Sequence, residues 1–139
     1  MESMSAKVTK AFFESQGLHV KQAGDNGEIL IAGFAMENRD GMMVIMHFDE
    51  GDGSAKVITQ NLAKIPENAM EKMYKVVNTL NNKFRWIKFY IDESDNTITA
   101  EDDAVIQLDS CGQEMLQCCI QLAQISDEAY PIIMKAIYS

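Results

Sequence analysis

The acidic stretch DESDNTITAEDD, which begins at Asp92, has the spacing closest to a metal site in this chain. A calcium loop takes oxygen ligands from its first, third, fifth and twelfth residues and needs glycine at the sixth. Asp92, Ser94, Asn96 and Asp103 offer oxygens at those four positions, but Thr97 stands at the sixth. TITAED is also typical of a strand, whereas the calcium motif continues into a helix. Because Asp, Asn and Ser side chains hydrogen-bond their own backbone in turns, the stretch predicts a hairpin turn and no metal site.

A second acidic segment, FDEGDGSAK at residues 48–56, combines two glycines with a serine and a lysine. A phosphate-binding loop needs the spacing GxxxxGK[ST] and a helix directly after it. The segment has neither, and its carboxylates would repel a phosphate. It therefore predicts a flexible, solvated connection.

Histidine and cysteine residues are too few and too scattered for a zinc site or a nucleophilic site. His19 and His47 fall on different predicted strands, and Cys111, Cys118 and Cys119 fall on the last helix without a CxxC pair. Structural zinc takes four such ligands, and a cysteine nucleophile needs a base within hydrogen-bond range. We predict packed, reduced thiols, no catalytic residue, no cofactor and a protein that is not an enzyme.

Composition and charge narrow the class of protein. The chain has 139 residues, of which 47% are hydrophobic and 24% charged, with a formal net charge of −9. These values are typical of one globular domain, which we expect over residues 1–139. An acidic surface with scattered lysines and arginines argues against nucleic-acid partners. The chain has no apolar run of the roughly 20 residues that span a bilayer, and its three cysteines form a poor disulfide framework, so we expect a cytoplasmic location and no membrane partner.

Hydrophobic periodicity and turn residues predict the elements that would position any site. Helix 4–16 turns Val8, Phe12 and Ala11 inward, and an Asn-Gly pair makes a tight turn after the first strand. Asn81 and Asn82 end the second helix, and Pro131 breaks or kinks the last one. The predicted order is helix 4–16, strands 18–22, 28–37, 42–49 and 55–61, helix 66–82, strands 84–92 and 96–101, and a helical region after Ser110. The fold class is α+β with a single antiparallel β-sheet in the order α-β(3-4)-α-β(2)-α.

The middle strands carry apolar residues on both faces, which is unusual for a sheet with one face in water. Two arrangements would satisfy them. Either helices cover both sides of the sheet, or another chain closes one face. The pattern alone does not choose between them.

Ten methionines, several of them on neighbouring strands, are typical of core filling and also of surfaces that accept varied partners. In the predicted strand 84–92, Trp86 and Tyr90 share one face, and such aromatics anchor protein interfaces well. The predicted partner-binding residues are Met42, Met43, Ile45, Trp86 and Tyr90.

The stretch MYKVVNTLNNKFRWIKFYIDESDNTITAEDD at residues 73–103 resembles the YbjN family, bacterial domains that are labelled sensory transduction regulators. Asn78 and Asn81 stand in its N-x-x-N arrangement, and the closing AYPIIMKAIY also looks like that family. The resemblance covers residues 66–138 well and the first half only in layout. It implies a fold similar to the type III secretion chaperones, which are small, acidic, cytoplasmic and dimeric and bind extended segments of other proteins.

From the residues and the resemblance together we predict a non-enzymatic protein-binding module, chaperone-like or regulatory. It would bind a protein or peptide segment through apolar sheet and helix surfaces and form a homodimer. The alternative is a small-ligand sensor, which needs a closed apolar pocket between the sheet and the helices.

Overall fold

The computed structural model describes all residues, 1–139, and confirms the predicted order of elements. The helices are α1 (Met4–Ser15), α2 (Met70–Lys83, preceded by a 3-10 turn at Glu67–Ala69) and α3 (Cys111–Ile137). The strands are β1 (Val20–Ala23), β2 (Ile29–Phe34), β3 (Met42–Phe48), β4 (Ser54–Lys64), β5 (Lys88–Asp92) and β6 (Thr97–Val105). They form one antiparallel six-stranded sheet in the order β1-β2-β3-β4-β6-β5. The α+β fold class is therefore confirmed.

All three helices lie on one side of this sheet, which we call the helix face. α3 packs on β4 and β6 and contacts both α1 and α2, so the three helices form one layer. Along β3 the side chains alternate between buried and more exposed, starting with buried Met42. One continuous core of 32 buried residues, from Ala6 to Ile137, fills the space between the sheet and the helices. One sheet face thus has no helix on it, which excludes the first arrangement described above. Closure of that face by another chain stays a prediction.

The first hairpin forms where it was predicted, but its turn has another geometry. Ala23 pairs with Ile29, so the connection runs through residues 24–28. The left-handed conformation falls at Gly24 and Gly27, with φ of +93° and +69°, and not at the asparagine. The predicted tight Asn-Gly turn was wrong, because both residues of such a turn need positive φ.

The acidic stretch after β5 is a hairpin turn, as predicted. Asp92 pairs with Thr97 across it, and β5 and β6 are antiparallel. The Asp92 carboxylate accepts hydrogen bonds from the backbone N–H of Ser94 at 3.0 Å and from its hydroxyl at 2.6 Å. Asp95 binds the backbone and hydroxyl of Thr97 in the same way. The acidic side chains therefore serve the turn itself.

The second helix continues past the residues predicted to end it. α2 runs to Lys83, and the Asn81 side chain points to the free edge of β5. Its oxygen accepts from the Phe89 N–H at 2.7 Å, and its nitrogen donates to the Phe89 carbonyl at 3.0 Å. This amide imitates a neighbouring strand and covers an otherwise unpaired sheet edge.

The last helix is continuous through Pro131, so of the predicted break or kink the break was wrong. Proline has no N–H to donate to the carbonyl four residues earlier, which is that of Asp127. Asn38 Nδ2 donates to this carbonyl instead, at 3.1 Å. The Asp127 carboxylate in turn accepts from the backbone N–H groups of Glu37 and Asn38 at 3.0 and 2.9 Å. The loop after β2 thus supplies the hydrogen bond that Pro131 cannot make within the helix.

The buried face of α1 also differs from the predicted one. Val8 and Phe12 lie at the margin of the core, and Ala11 is exposed. Two polar residues of the helix are buried instead, because their hydroxyl groups have hydrogen-bond acceptors. Thr9 donates to Cys111 Sγ at 3.4 Å, and Ser5 Oγ donates to Asp52 at 2.7 Å. The fully buried residues of the helix are Ser5, Ala6, Thr9 and Phe13.

Candidate partner-binding surface

The sheet face away from the helices, here called the open face, carries apolar side chains in the middle of β2, β3 and β4. Cross-strand register places Ile31 opposite Ile45 and Ile45 opposite Ile58. These three isoleucines are only half-buried. Met43 is 55% exposed and lies on the same face, two residues from Ile45. The open face therefore presents a contiguous apolar patch to water.

Among the predicted binding residues, Met43 and Ile45 lie on this face and Met42 does not. Met42 alternates to the helix face, where it is buried in the core. Its inclusion was wrong because successive residues of a strand point to opposite faces. Met43 and Ile45 as contacts of a partner remain a prediction.

Tyr90 stands on the polar part of the open face, opposite Thr99 of β6. Its hydroxyl donates to Glu101 Oε1 at 3.0 Å. Partial burial, followed by this bond to a carboxylate, raises the pKa of Tyr90 to about 12. The phenol therefore stays neutral and acts as a hydrogen-bond donor on this surface.

Trp86 lies apart from Tyr90, so their placement on one strand face was wrong. β5 begins only at Lys88, and Trp86 has a left-handed backbone with φ +72°. Such a conformation costs a residue other than glycine about 1–3 kcal/mol. The indole points toward α3, where its Nε1 lies 3.3 Å from the Gln121 side-chain oxygen, with the amide oriented by its neighbours. The ring is still 67% exposed.

Sequence reasoning missed a polar cluster between β6 and α3. Asp102 faces the helices and is only 6% exposed. Burial raises the pKa of its carboxyl to about 6, a bond from the Cys118 thiol opposes the shift, and Asp103 adds to it. Burial first, and then Asp102, raises the pKa of Cys118 to about 11, and burial also raises that of Cys119. Thiols with such high pKa values are poor nucleophiles.

The second acidic segment is anchored rather than loose. Asp52, with φ +59°, accepts from the backbone N–H of Ser5 at 2.9 Å as well as from its hydroxyl. These bonds to Ser5 lower the pKa of the Asp52 carboxyl. The carboxylate sits at the first turn of α1, where the helix dipole favours negative charge. The prediction of a free, solvated connection was wrong at this residue. No group of three or more His, Cys, Asp or Glu side chains is arranged to hold a metal ion.

A surface depression of about 520 Å³ adjoins the open face where β3 and β4 separate. β4 pairs with β3 only as far as Ile58, and its register against β6 shifts between Thr59 and Ala63. Arg39 bridges the gap by donating to the Asn61 carbonyl at 3.1 Å. The depression lies at the end of these strands, outside the core. The small-ligand alternative would need its pocket between the sheet and the helices, where core side chains fill the space.

Comparisons with known proteins agree with this architecture. The family model of YbjN, "Putative bacterial sensory transduction regulator", matches residues 5–107. The match includes the first half of the chain, which the resemblance noted above covers only in layout. It ends before α3, which that resemblance includes. No curated protein matches the sequence. The structure has no helix with both the length and the apolar character needed to span a bilayer.

Two solved structures share the fold. YbjN from E. coli, titled a "putative transcription regulator", has a TM-score of 0.62 and 12% identity, with 88% of this chain and 89% of that chain covered. A chain of the heterodimeric ExoU-SpcU complex, from the type III secretion system of Pseudomonas aeruginosa, has a TM-score of 0.55 and 14% identity. That alignment covers 88% of this chain and 94% of the other. The predicted type III secretion chaperone-like fold is thereby confirmed.

Proposed function

Since the chain belongs to the YbjN family, we propose that it is a non-enzymatic protein-binding module, chaperone-like or regulatory, that holds a segment of a partner protein on its open face. The fold likeness to the secretion complex supports the architecture only, because one fold serves many functions. The functional proposal rests on the surface itself.

The supporting observation is the helix-free apolar patch of Ile31, Met43, Ile45 and Ile58. All three helices pack on the other side, so no helix covers these side chains. Contiguous apolar surface of this kind marks protein contacts in soluble proteins. Strand backbone and half-buried isoleucines form a rigid support, which reduces the entropy lost on binding.

Two further expectations belong to this proposal. We propose a cytoplasmic protein, in line with three cysteines that are all unpaired and of which two are buried. We also propose a homodimer, as the resemblance to the dimeric type III secretion chaperones implies.

The test is capture of partners by the tagged protein from its source cells, compared with a variant that carries Met43→Asp and Ile45→Thr. Both side chains reach water, and Thr keeps the β-branched shape that strands favour, so we expect this variant to fold. Tyr138→Ser is the matched control, because Tyr138 is 79% exposed and lies at the end of α3, away from the sheet.

We expect one stoichiometric foreign protein with the parent and the control, and at least about a tenfold loss with the open-face variant, since anchor residues contribute more than about 1 kcal/mol each. Light scattering gives the mass of each complex. If the parent recovers only itself as a dimer, and the open-face variant is a monomer, the face closes on a second copy and the foreign-segment proposal fails.

A further inference from the structure

Asp102 is a carboxyl group set among apolar side chains between the sheet and α3. Its neighbours on the helix face of β6 are Ala100 and Ala104, and Val57 lies opposite it on β4. An ionised carboxylate in such a place loses its hydration, which is strongly unfavourable unless a cation or several donors replace the water.

The donors that reach Asp102 are neutral. With the Gln121 amide oriented to suit its neighbours, its nitrogen lies 3.1 Å from Asp102 Oδ2. The Cys118 thiol on α3 also lies near this carboxyl. The other face of the Gln121 amide accepts from Trp86 Nε1, so the carboxyl is linked through one side chain to the indole.

The titratable groups around the cluster are acids and thiols. Asp103 is the next residue on β6 and lies near Asp102. On α3, Glu114 lies near the Cys118 thiol, and Cys119 lies near Cys118 and Asp102. The two ion pairs of the chain are Lys7–Glu2 and Lys10–Glu14, and neither involves this region. No lysine or arginine therefore forms an ion pair with the Asp102 carboxyl.

We propose that protonation of Asp102 is a pH-sensitive switch that sets how α3 packs on β6 and where Trp86 sits. The neutral carboxyl fits the contact between β6 and α3 without a cation and accepts from Gln121. The anion must recover hydration, so α3 moves away from β6 at this point and water enters. Gln121 then moves with α3, and the Trp86 indole loses its acceptor.

The shift of the Asp102 pKa agrees with this direction. The ordinary value is 3.8 and the folded value is about 6, so the folded state binds the proton more tightly than the unfolded chain. A raised carboxyl pKa contributes stability below pH 4, and this contribution is lost as the pH rises through about 6. The packed form of the cluster thus belongs to mildly acidic conditions.

The experiment uses the fluorescence of Trp86, which is the only tryptophan in the chain. Emission wavelength and quenching by acrylamide are followed from pH 4.5 to 7.5 in the full-length protein. We expect one sigmoidal step near pH 6, toward longer wavelength and stronger quenching at the higher pH. Asp102→Asn, which is neutral and of the same size, should remove the step and keep the acid-form signal throughout.

Asp103→Asn is the matched control, because its side chain is the exposed neighbour on the opposite face of β6, and the step should persist in it. The carbon-13 shift of the Asp102 carboxyl in the unmodified protein gives a readout that needs no variant. A parent signal that is flat over this range, a step that persists in Asp102→Asn, or a carboxyl that titrates near pH 4 would each overturn the proposal.

Discussion

Replacing Asn81 with Ala should destabilise the protein, although the same change raises helix propensity. The Asn81 side chain makes two hydrogen bonds to the backbone of Phe89, at 2.7 and 3.0 Å. A neutral hydrogen bond contributes about 1 kcal/mol, so their loss costs about 2 kcal/mol. Alanine in a helix is about 0.5 kcal/mol more favourable than asparagine. The expected net loss in free energy of unfolding is about 1.5 kcal/mol, or about 5 °C in melting temperature.

Asn82→Ala is the matched control, because this residue is exposed on the next position of the same helix. It has the same propensity gain without the bonds and should be slightly stabilising. Urea unfolding followed by circular dichroism measures both, and hydrogen exchange at the Phe89 amide should accelerate only in Asn81→Ala. Equal stability of the two variants would refute the edge-covering role of Asn81.

Three further substitutions test other contacts. Asn38→Ala removes the donor to the Asp127 carbonyl and should lower the free energy of unfolding by about 1 kcal/mol, with faster hydrogen exchange in that part of α3. Gly112→Ala should destabilise by about 1–3 kcal/mol in thermal unfolding despite its propensity gain, because an added Cβ would lie 2.5 Å from Phe12 Cβ. Tyr90→Phe should remove a phenol that ionises at a pH of about 12 in an ultraviolet titration, and cost about 1 kcal/mol in urea unfolding.

The errors at element ends share a physical cause. Asn81 is a good helix-ending residue and Pro131 a good helix-breaking one, as judged from their neighbours in the chain. In the fold, the Asn81 side chain hydrogen-bonds the edge strand β5. Asn38, in a loop, donates to the Asp127 carbonyl that Pro131 leaves without a donor. These partners are distant or unpredictable in sequence, so local rules have no access to them.

The candidate surface divides in the same way. Once β3 is known, strand alternation places Met42 and Met43 on opposite faces of the sheet. Only the position of the helices shows that Met43 is on the exposed face. Trp86 does not lie on its predicted strand face, because its own backbone has a positive φ and β5 begins only at Lys88. Asp102 belongs to an acidic run in the sequence, and nothing local marks it as the buried member.

The sequence by itself determined the class of fold, the order of its elements, the acidic turn and the apolar character of both sheet faces. Those features depend on periodicity and on turn residues, which act over a few neighbouring positions. Only the tertiary structure decided which face α3 covers, which carboxyl it buries and which isoleucines remain open to water. These outcomes depend on where α3 docks on β4 and β6, a long-range packing choice that the local pattern of apolar residues does not determine.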